Sequence, residues 1–192
     1  MGHSRAEKTK THKRIVKIAS RRLREKGLAG VGIADLMKEA GLTVGGFYKH
    51  FDSRDALVAE AVRFAFGGWQ RRVDAAASGG PPVSYAKLID DYLNAAHRDD
   101  PGAGCAFSAL AGDIARSHKR TRALATAQIR NDIQLLANLL PRKDKNKAAA
   151  RSKAILTFSA LVGAMALARA VSDEALSREI LKAVKEVLKT GS

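Results

Sequence analysis

The single cysteine of the chain is the first residue with reactive chemistry. Cys105 lies in the stretch GAGCAFSALAGD, at the predicted start of a helix. The N-terminus of a helix stabilises the thiolate form of cysteine, which is the nucleophilic form. Cys105 is therefore a candidate sensor of electrophiles or oxidants, and the alternative is a small buried hydrophobic residue. A single cysteine also excludes a disulfide within the chain.

The other reactive side chains form no catalytic or metal-binding pattern. His97 and His118 belong to no HxxxH or Cys/His cluster, so no metal site is predicted. The chain has no paired carboxylates in a credible motif, no phosphate-binding glycine loop and no nucleophile–His–acid arrangement. The sequence therefore predicts neither an enzyme nor a bound cofactor.

Positive charge is concentrated near the N-terminus. The chain holds 34 Lys or Arg and 19 Asp or Glu residues, for a net charge of +15. Residues 1–54 hold thirteen of the basic and five of the acidic side chains, an excess of eight positive charges. Such an excess favours an anionic partner, either nucleic acid or a membrane surface. A basic surface that serves only solubility is the alternative.

Hydrophobic spacing predicts an all-α protein that begins with a helix-turn-helix domain. Alanine, leucine, lysine and arginine dominate, and strand periodicity is nearly absent. After a loose basic arm at 1–10, helices are expected at 11–26, 33–40 and 44–50. Gly41 is expected to end the second, and Phe47 and Phe51, four residues apart on one face, are expected to plug the core of the three-helix unit. Two short helices joined by a glycine-containing turn are typical of a helix-turn-helix. We expect this three-helix domain to span residues 1–54.

The rest of the chain, residues 55–192, is predicted to be a helical domain for ligand binding and dimerisation. A break is expected in the SGGPP stretch, and loops in the RDDPGAG and PRKDKNK stretches. The expected helices are 53–77, 83–98, 104–116, 119–140, 146–170 and 173–189, and Ser53 is the expected N-cap of the first of them.

Two adjacent glycines interrupt the helix expected at 44–50. Each of Gly45 and Gly46 costs a helix roughly 1 kcal/mol relative to alanine. Reading the major groove requires close approach, and a helix without side chains at these positions can bring its backbone nearer to phosphates or base edges. We therefore expect the glycines to belong to a DNA-docking surface. The alternative is that they make room for a neighbouring helix.

Several residues between positions 11 and 60 follow one another at specific separations. They include Arg14-Ile15, Ala40-Gly41, Tyr48 and His50-Phe51. In this order they resemble the DNA-binding domain of the TetR/AcrR family of bacterial transcriptional regulators. The resemblance implies an all-helical homodimer with an operator-binding helix-turn-helix and a C-terminal domain whose small effector releases the DNA. Two departures are Gly32, where the family usually has Thr or Ser, and Gly46, where Thr, Ala or Ser is common.

Side-chain type suggests a role for each residue of the motif. Thr43 can cap its helix and touch DNA, and Val44 can meet a thymine methyl group. The basic side chains can pair with phosphates and set the register of the protein on DNA. The predicted DNA-binding residues are Lys10, Arg14, Gly32, Thr43, Val44, Gly45, Gly46, Tyr48, Lys49, His50 and Arg54.

Aromatic side chains of the C-terminal part are candidates for an effector cavity between helices. Ordinary core packing is the alternative for each of them. The predicted effector-binding residues are Phe66, Trp69, Tyr92, Cys105, Phe107 and Phe158.

The last two expected helices are candidates for a dimer interface, because one is rich in small residues and the other carries a helical apolar stripe. Family members resembling this chain pair two such helices into a four-helix bundle. The predicted interface residues are Phe158, Leu161, Gly163, Met165, Leu176, Ile180, Val184 and Leu188.

These observations predict a cytoplasmic transcriptional regulator, most simply a homodimeric repressor that a small molecule releases from double-stranded operator DNA. The apolar stretch 154–168 is short for a bilayer, so no membrane partner is expected. Two alternatives remain open. One is a redox- or electrophile-responsive regulator that switches through Cys105, and the other is a non-specific nucleic-acid binder without an effector.

Overall fold

The computed structural model describes residues 5–140 and 147–190. Over these ranges the chain forms ten α-helices and one 3-10 helix, with no strand, which confirms the predicted all-α fold. The elements are α1 (Arg5–Lys26), α2 (Ile33–Glu39), the 3-10 helix (Val44–Lys49), α3 (Arg54–Phe66), α4 (Gly68–Ala77), α5 (Tyr85–Tyr92), α6 (Ala95–Asp99), α7 (Ala106–Ala115), α8 (Lys119–Leu139), α9 (Lys147–Ala170) and α10 (Glu174–Thr190).

Helix α1 is longer than predicted. It begins at Arg5, so the described part of the expected loose arm is helical and that prediction is wrong for residues 5–10. The physical reason is that Arg, Ala, Glu and Lys are strong helix formers, so this polar segment extends the helix that follows it. Residues 1–4 of the expected arm lie outside the described residues. The basic side chains of 5–10 are exposed along a continuous helix.

The helix-turn-helix is built from α2 and the 3-10 helix. Gly41 adopts a φ of +68°, the left-handed conformation that ends α2. The segment expected as an α-helix at 44–50 is a 3-10 helix, because two glycines weaken the α-helical preference of so short a segment. Phe47 and Phe51 are 0% and 3% exposed, with ring centroids 5.4 Å apart. Their burial confirms that this pair plugs the core of the N-terminal unit.

Two expected helices are each divided in the structure. The one at 53–77 begins after Ser53, whose hydroxyl accepts a hydrogen bond from the backbone N–H of Ala56, as a predicted N-cap should. It then breaks at Gly67, where the ψ angle of 14° departs from helical geometry, and resumes as α4. The helix at 83–98 divides into α5 and α6, because Asn94 caps the second of them through a bond from the His97 N–H.

The C-terminal helices pack around α9, which contacts both α8 and α10. Helix α1 packs on α3 and also on α7, so the N-terminal unit and the C-terminal helices share one continuous hydrophobic core. The boundary at residue 54 therefore stays a prediction. The loop expected at 141–147 lies outside the described residues, apart from Lys147 at the start of α9.

Helix α9 passes a test of length and apolar composition for a membrane-crossing helix, and it is the one helix in the described ranges that does. Leu161 and Met165, at its centre, are fully buried against the rest of the chain. The core helix of a soluble protein passes the same test, and the packing of α9 between α8 and α10 is that of a core helix.

Candidate nucleic-acid interface and internal cavity

Neither glycine of the 3-10 helix is in a position where a side chain would clash: Gly45 faces open space, and Gly46 faces α2 at ordinary contact distance. A Cβ atom added at Gly45 meets no atom within 4 Å, and one added at Gly46 lies 3.6 Å from the Met37 side chain, an ordinary contact distance. Neither glycine is therefore required by packing, which removes the alternative raised by the sequence. The surface around them is apolar and exposed, with Val44 49% and Tyr48 69% accessible.

The predicted contact residues around this surface are accessible. Thr43 occupies the N-cap position of the 3-10 helix, but its side chain makes no capping bond and is exposed. Gly32 is the N-cap of α2, with an extended backbone and no side chain to cap it. Lys49 is exposed, and so are Lys10 and Arg14 on α1. Their contacts with DNA remain predictions.

Arg54 has a structural role that the sequence did not indicate. Its Nε donates to the Val31 carbonyl at 3.2 Å, and one terminal nitrogen donates to the carbonyls of Leu28 and Ala29 at 3.0 and 3.3 Å. These bonds fasten the turn between α1 and α2 to the start of α3. Arg54 therefore holds this turn, and its contact with a phosphate stays a prediction.

His50 is half-buried beside a second histidine. Its ring lies 6.1 Å from that of His12, which stacks on Phe51 at 4.5 Å and contacts the Glu60 carboxylate at 2.7 Å. The Nδ1 atom of His50 is buried, with no hydrogen-bond partner among the described residues. Burial first, and then His12 and nearby lysines, lowers the pKa of His50. A neutral ring is therefore favoured at neutral pH, which suits packing better than pairing with a phosphate.

A cavity of about 350 Å³ lies between the C-terminal helices. All of the residues predicted to bind an effector line it, although they come from α3, α4, α5, α7, α9 and the residue before α7. The lining includes Phe66, Trp69, Tyr92, Cys105, Phe107 and Phe158. The break at Gly67 places α4, and with it the indole of Trp69, at the wall of this cavity.

Edge-to-face and stacked contacts fix the aromatic wall. Trp69 meets Tyr92 and Phe158 edge-on, with ring centroids 5.8 Å away in both cases. Phe66 stacks on Phe107 at 4.6 Å, and Phe107 meets Phe158 edge-on at 5.6 Å. Such pairs orient the rings and keep the shape of the cavity defined.

The polar part of the wall is organised by His97. Its Nδ1 lies 2.6 Å from the Tyr92 carbonyl, which can only accept, so Nδ1 carries the proton. Its Nε2 then accepts a hydrogen bond from the Cys105 backbone N–H at 2.9 Å. Burial lowers the pKa of His97, consistent with this neutral form. The His97 ring therefore holds Cys105 and the start of α7 in place.

Two groups in the wall lack ordinary partners. The hydroxyl of Tyr92 is buried and makes no hydrogen bond of ordinary geometry among the described residues, although the side chains of Cys105 and Ser108 lie close enough to interact with it; burial raises its pKa well above the usual range. Asp132 of α8 is 5% exposed. Burial raises its pKa to about 7, although a hydrogen bond from the Gln128 side chain acts in the opposite direction and lowers the pKa. Sequence reasoning missed Asp132, and the one available signal was an acid among Ile129, Ile133 and Leu136 on the apolar side of a predicted helix.

Helix α1 is bonded directly to the loop that borders the cavity. Arg24 donates from Nε to the Gly102 carbonyl at 2.8 Å, and Arg21 pairs with Asp100 at 3.0 Å. Further along, the Leu28 N–H donates to the Asp113 carboxylate of α7 at 3.0 Å. Because Asp100 lines the cavity, its pair with Arg21 joins α1 directly to the cavity wall.

The predicted dimer residues divide into buried and exposed groups. Leu161 and Met165 are fully buried, and Leu188 is 8% exposed, so these side chains belong to the core of the protomer and their prediction as interface residues is wrong. Phe158 lines the cavity. Leu176 is 41% exposed, Ile180 and Val184 are half-buried, and a Cβ added at Gly163 meets open space. On α9 and α10, the large exposed apolar side chains that the sequence did not select are Ile155, Leu156, Leu167 and Val187.

In the described parts of the chain, no group of three His, Cys, Asp or Glu side chains is arranged to hold a metal ion.

Two family models match this chain. The first, described as bacterial regulatory proteins of the tetR family, matches residues 15–61. The second, described as the C-terminal domain of LmrA/YxaF-like transcriptional regulators, matches residues 81–186, which is more than half of the chain. The chain belongs to the TetR family. Both matched models describe transcriptional regulators, the class of protein that the sequence predicts.

Individual relatives of this TetR-family chain agree with the fold. The uncharacterized HTH-type transcriptional regulator YerO of Bacillus subtilis is 31% identical over 77 residues, which cover 38% of this chain and 27% of YerO. The chain thus spans about a quarter of the length of that relative. A TetR-family regulator from Cytophaga hutchinsonii has a TM-score of 0.76 and 19% identity, covering 99% of this chain and 98% of its own. The reduced form of E. coli NemR has a TM-score of 0.75 and 18% identity, covering 94% and 96%. At these identities the solved structures show the fold alone.

Proposed function

We propose that this TetR-family regulator is a cytoplasmic, homodimeric repressor that leaves its operator when a small molecule fills the C-terminal cavity. The observation that carries the proposal is the direct bonding of α1 to the loop that borders the cavity, through Arg24 and Gly102 and through Arg21 and Asp100. A cavity without such a connection would have no short route to the DNA-binding unit.

The 3-10 helix is the segment that reads DNA in this proposal. Its open glycine backbone approaches the groove, while Val44 and Tyr48 supply apolar and aromatic contacts to base edges or sugars. The exposed Lys10 and Arg14 of α1 lie on an element packed behind the motif and would contact phosphates on either side. The extension of α1 to Arg5 adds further basic side chains to this face.

The exposed face of α9 and α10 is the proposed dimer interface. On α9, Leu156, Gly163 and Leu167 recur at helical spacing, and on α10 Leu176 and Val187 do the same. Pairing these faces would bury apolar side chains that a single protomer leaves in water. A two-fold dimer places two reading segments on half-sites about one helical turn of DNA apart.

The dimer proposal is tested by Leu156→Glu. Leu156 is 66% exposed, so the substitution should leave the protomer folded while placing a charge in the centre of the interface. We expect a monomer in sedimentation equilibrium, with helical circular dichroism unchanged. Arg120→Glu, also exposed and on α8, is a matched control that should remain dimeric. A Leu156→Glu protein that stays dimeric contradicts this interface.

Release follows from unequal affinity of the effector for two conformations. A ligand against Cys105 and Phe107 contacts the start of α7 and the adjoining loop, and any adjustment there pulls on Arg24 and Arg21. The ligand shifts the DNA-binding equilibrium by as much as its affinities for the two conformations differ.

The first experiment is binding of the purified protein to the DNA upstream of its own gene. The salt concentration is set at about 150 mM with competitor DNA, because phosphate contacts make affinity strongly dependent on salt. Binding that survives competitor supports a sequence-specific regulator and provides the assay for effectors. Binding that competitor abolishes at this site and across a genomic fragment library contradicts sequence-specific reading and favours a non-specific binder.

A switch through Cys105 is the second candidate. Its thiol borders the same cavity, and its backbone N–H is bonded to His97, so modification of the sulfur would disturb the start of α7 directly. Operator binding before and after treatment with hydrogen peroxide or an electrophile, compared between the native protein and Cys105→Ser, tests it. A Cys105→Ser protein that still loses DNA on treatment excludes this switch.

A further inference from the structure

Most charges in the wall of the cavity are neutralised by neighbouring side chains. The Asp91 carboxylate contacts the guanidinium of Arg72 and the ammonium of Lys87. Asp100 is paired with Arg21 at 3.0 Å. His97 is neutral, and both of its ring nitrogens are engaged. These groups hold the wall together and offer no uncompensated charge to a ligand.

Asp132 differs from the other ionisable groups that line the cavity. It is 5% exposed, and the hydrogen bond that the structure gives it comes from the neutral amide of Gln128 at 2.9 Å. No cation from the surrounding helices acts on its pKa, which burial dominates. A buried carboxylate without a counter-charge is unfavourable by several kcal/mol, so an acid at this position calls for a partner that residues 5–140 and 147–190 do not supply.

The rest of the wall is suited to a positively charged partner with an apolar body. Trp69, Phe107 and Phe158 present aromatic surfaces, whose negative ring faces attract cations. The buried hydroxyl of Tyr92, near the side chains of Cys105 and Ser108, adds a polar atom on the same wall. The volume of about 350 Å³ lies in the range of sites for small organic molecules.

We propose that the cavity binds an organic cation, an ammonium group carried on an aromatic or aliphatic body, with the ammonium against Asp132 and the body among the aromatic side chains. This inference rests on the proposed function and assigns the effector of that function to a chemical class. A cation supplies the charge that Asp132 lacks, whereas an anion would bring two negative charges together. A neutral ligand would leave the carboxylate uncompensated.

The proposal carries a pH dependence with a definite sign. Burial raises the pKa of Asp132 to about 7, so the carboxyl must lose its proton before it can pair with an ammonium group. Affinity for the cation therefore rises as pH increases through neutrality. The hydrogen bond from Lys87, with Arg72, lowers the pKa of Asp91, and burial lowers the pKa of His97, so both shifts point away from the titration of Asp132.

Three probes that share a phenyl ring and four methylene groups test the charge preference: phenylbutylamine, phenylbutanol and phenylpentanoate. Trp69 is the single tryptophan and lines the cavity, so quenching of its fluorescence reports binding there. At pH 8 we expect the ammonium probe to bind at least about tenfold more tightly than the alcohol, and the carboxylate to bind weakest. At pH 5.5 this advantage should fall to roughly twofold as Asp132 is protonated.

The variant Asp132→Asn keeps the size and the acceptor for Gln128 but removes the charge. It should bind the ammonium and the alcohol probes about equally at both pH values, with alcohol affinity within roughly threefold of the native protein. Asp91→Asn is the matched control, because it removes one carboxylate from the same wall that Arg72 and Lys87 already neutralise. It should retain the preference for the ammonium.

The proposal is overturned if the alcohol or the carboxylate binds as tightly as the ammonium, if Asp132→Asn keeps the preference, or if none of the three probes quenches Trp69. Operator binding is measured separately. A protein that binds its operator but shows no preference for the cation keeps the proposed regulatory function and loses only the ligand class. A protein that prefers the cation but holds its operator equally well with and without it keeps the site and loses the effector role.

Discussion

In the 3-10 helix, Gly45 leaves open space where a side chain would fit, whereas the cavity wall buries the carboxyl of Asp132 without a counter-charge. At Gly45 the exposed surface has no side chain at all. At Asp132 the apolar interior contains an ionisable carboxyl group. Local stability would favour a different residue in both places. Positions that break local rules in a well-packed chain are often those where a ligand completes the structure. The comparison suggests that DNA completes one region and a small molecule the other.

The largest expected effect is a loss of folding stability, and it should differ between an aromatic residue of the DNA-reading region and one of the cavity wall. Phe47, under the DNA-reading surface, is 0% exposed in close packing, so Phe47→Ala should lower the free energy of unfolding by about 3–5 kcal/mol. Phe158 already borders a cavity, so Phe158→Ala should cost less, roughly 2 kcal/mol, because fewer contacts are lost. Urea unfolding of both variants gives the comparison. An equal or larger loss for Phe158→Ala would mean that the cavity wall is packed as tightly as the core of the N-terminal unit.

Asp132→Asn should stabilise the protein at alkaline pH. The folded-state pKa of about 7 lies above the unfolded value of 3.8, so the folded protein holds the extra proton between these values and loses stability as pH rises through them. The asparagine variant lacks this loss, and at pH 8 it should be more stable by up to roughly 4 kcal/mol. At pH 4 the two proteins should be nearly equal. Thermal and urea unfolding across this range would show whether the difference instead stays constant with pH, which would exclude a buried carboxyl as its source.

Arg24→Met should weaken the connection between the two regions. The substitution keeps the aliphatic stem but removes the bonds to the Gly102 carbonyl and the Ser20 hydroxyl. We expect the variant to bind its operator. The factor by which saturating phenylbutylamine weakens operator affinity should be roughly tenfold smaller in the variant than in the native protein. Arg22→Met is a matched control, since it removes the same charge from α1 but breaks a pair with Glu39 inside the DNA-binding unit. Equal release in both variants would show that the signal does not pass through Arg24.

Gly45→Ala should have the smallest effect on folding stability, which it should raise slightly. The same substitution should lower operator affinity. A methyl group there meets open space, so the variant should be more stable by up to about 1 kcal/mol. Operator affinity should fall about tenfold if the backbone approaches the DNA closely. Gly68→Ala, also facing open space but on α4, is the control and should leave operator affinity unchanged. Unchanged affinity in Gly45→Ala would contradict the docking role of this glycine.

Sequence reasoning was strongest where a local signal is short-ranged. The cap at Ser53, the turn at Gly41 and the burial of Phe47 and Phe51 each depend on residues within a few positions, and each is confirmed. It was weaker where helical periodicity alone had to choose a face. Leu161 and Met165 were assigned to a dimer surface, but they lie on the face of α9 that packs against the rest of the protomer. A helix rich in alanine and leucine has apolar residues on several faces, so its pattern does not specify which face is covered.

The sequence by itself determined the helical class, the helix-turn-helix and its basic surroundings, because propensity, glycine turns and charge are properties of neighbouring residues. It also selected the aromatic residues that line the cavity, since large apolar side chains collect between helices. Only the tertiary structure decided that Arg54 holds a turn, that α1 is bonded to the loop beside the cavity, and that Asp132 is buried in the wall of the cavity that the aromatic rings also line. These facts depend on side chains from helices far apart in the chain, and packing alone brings them together.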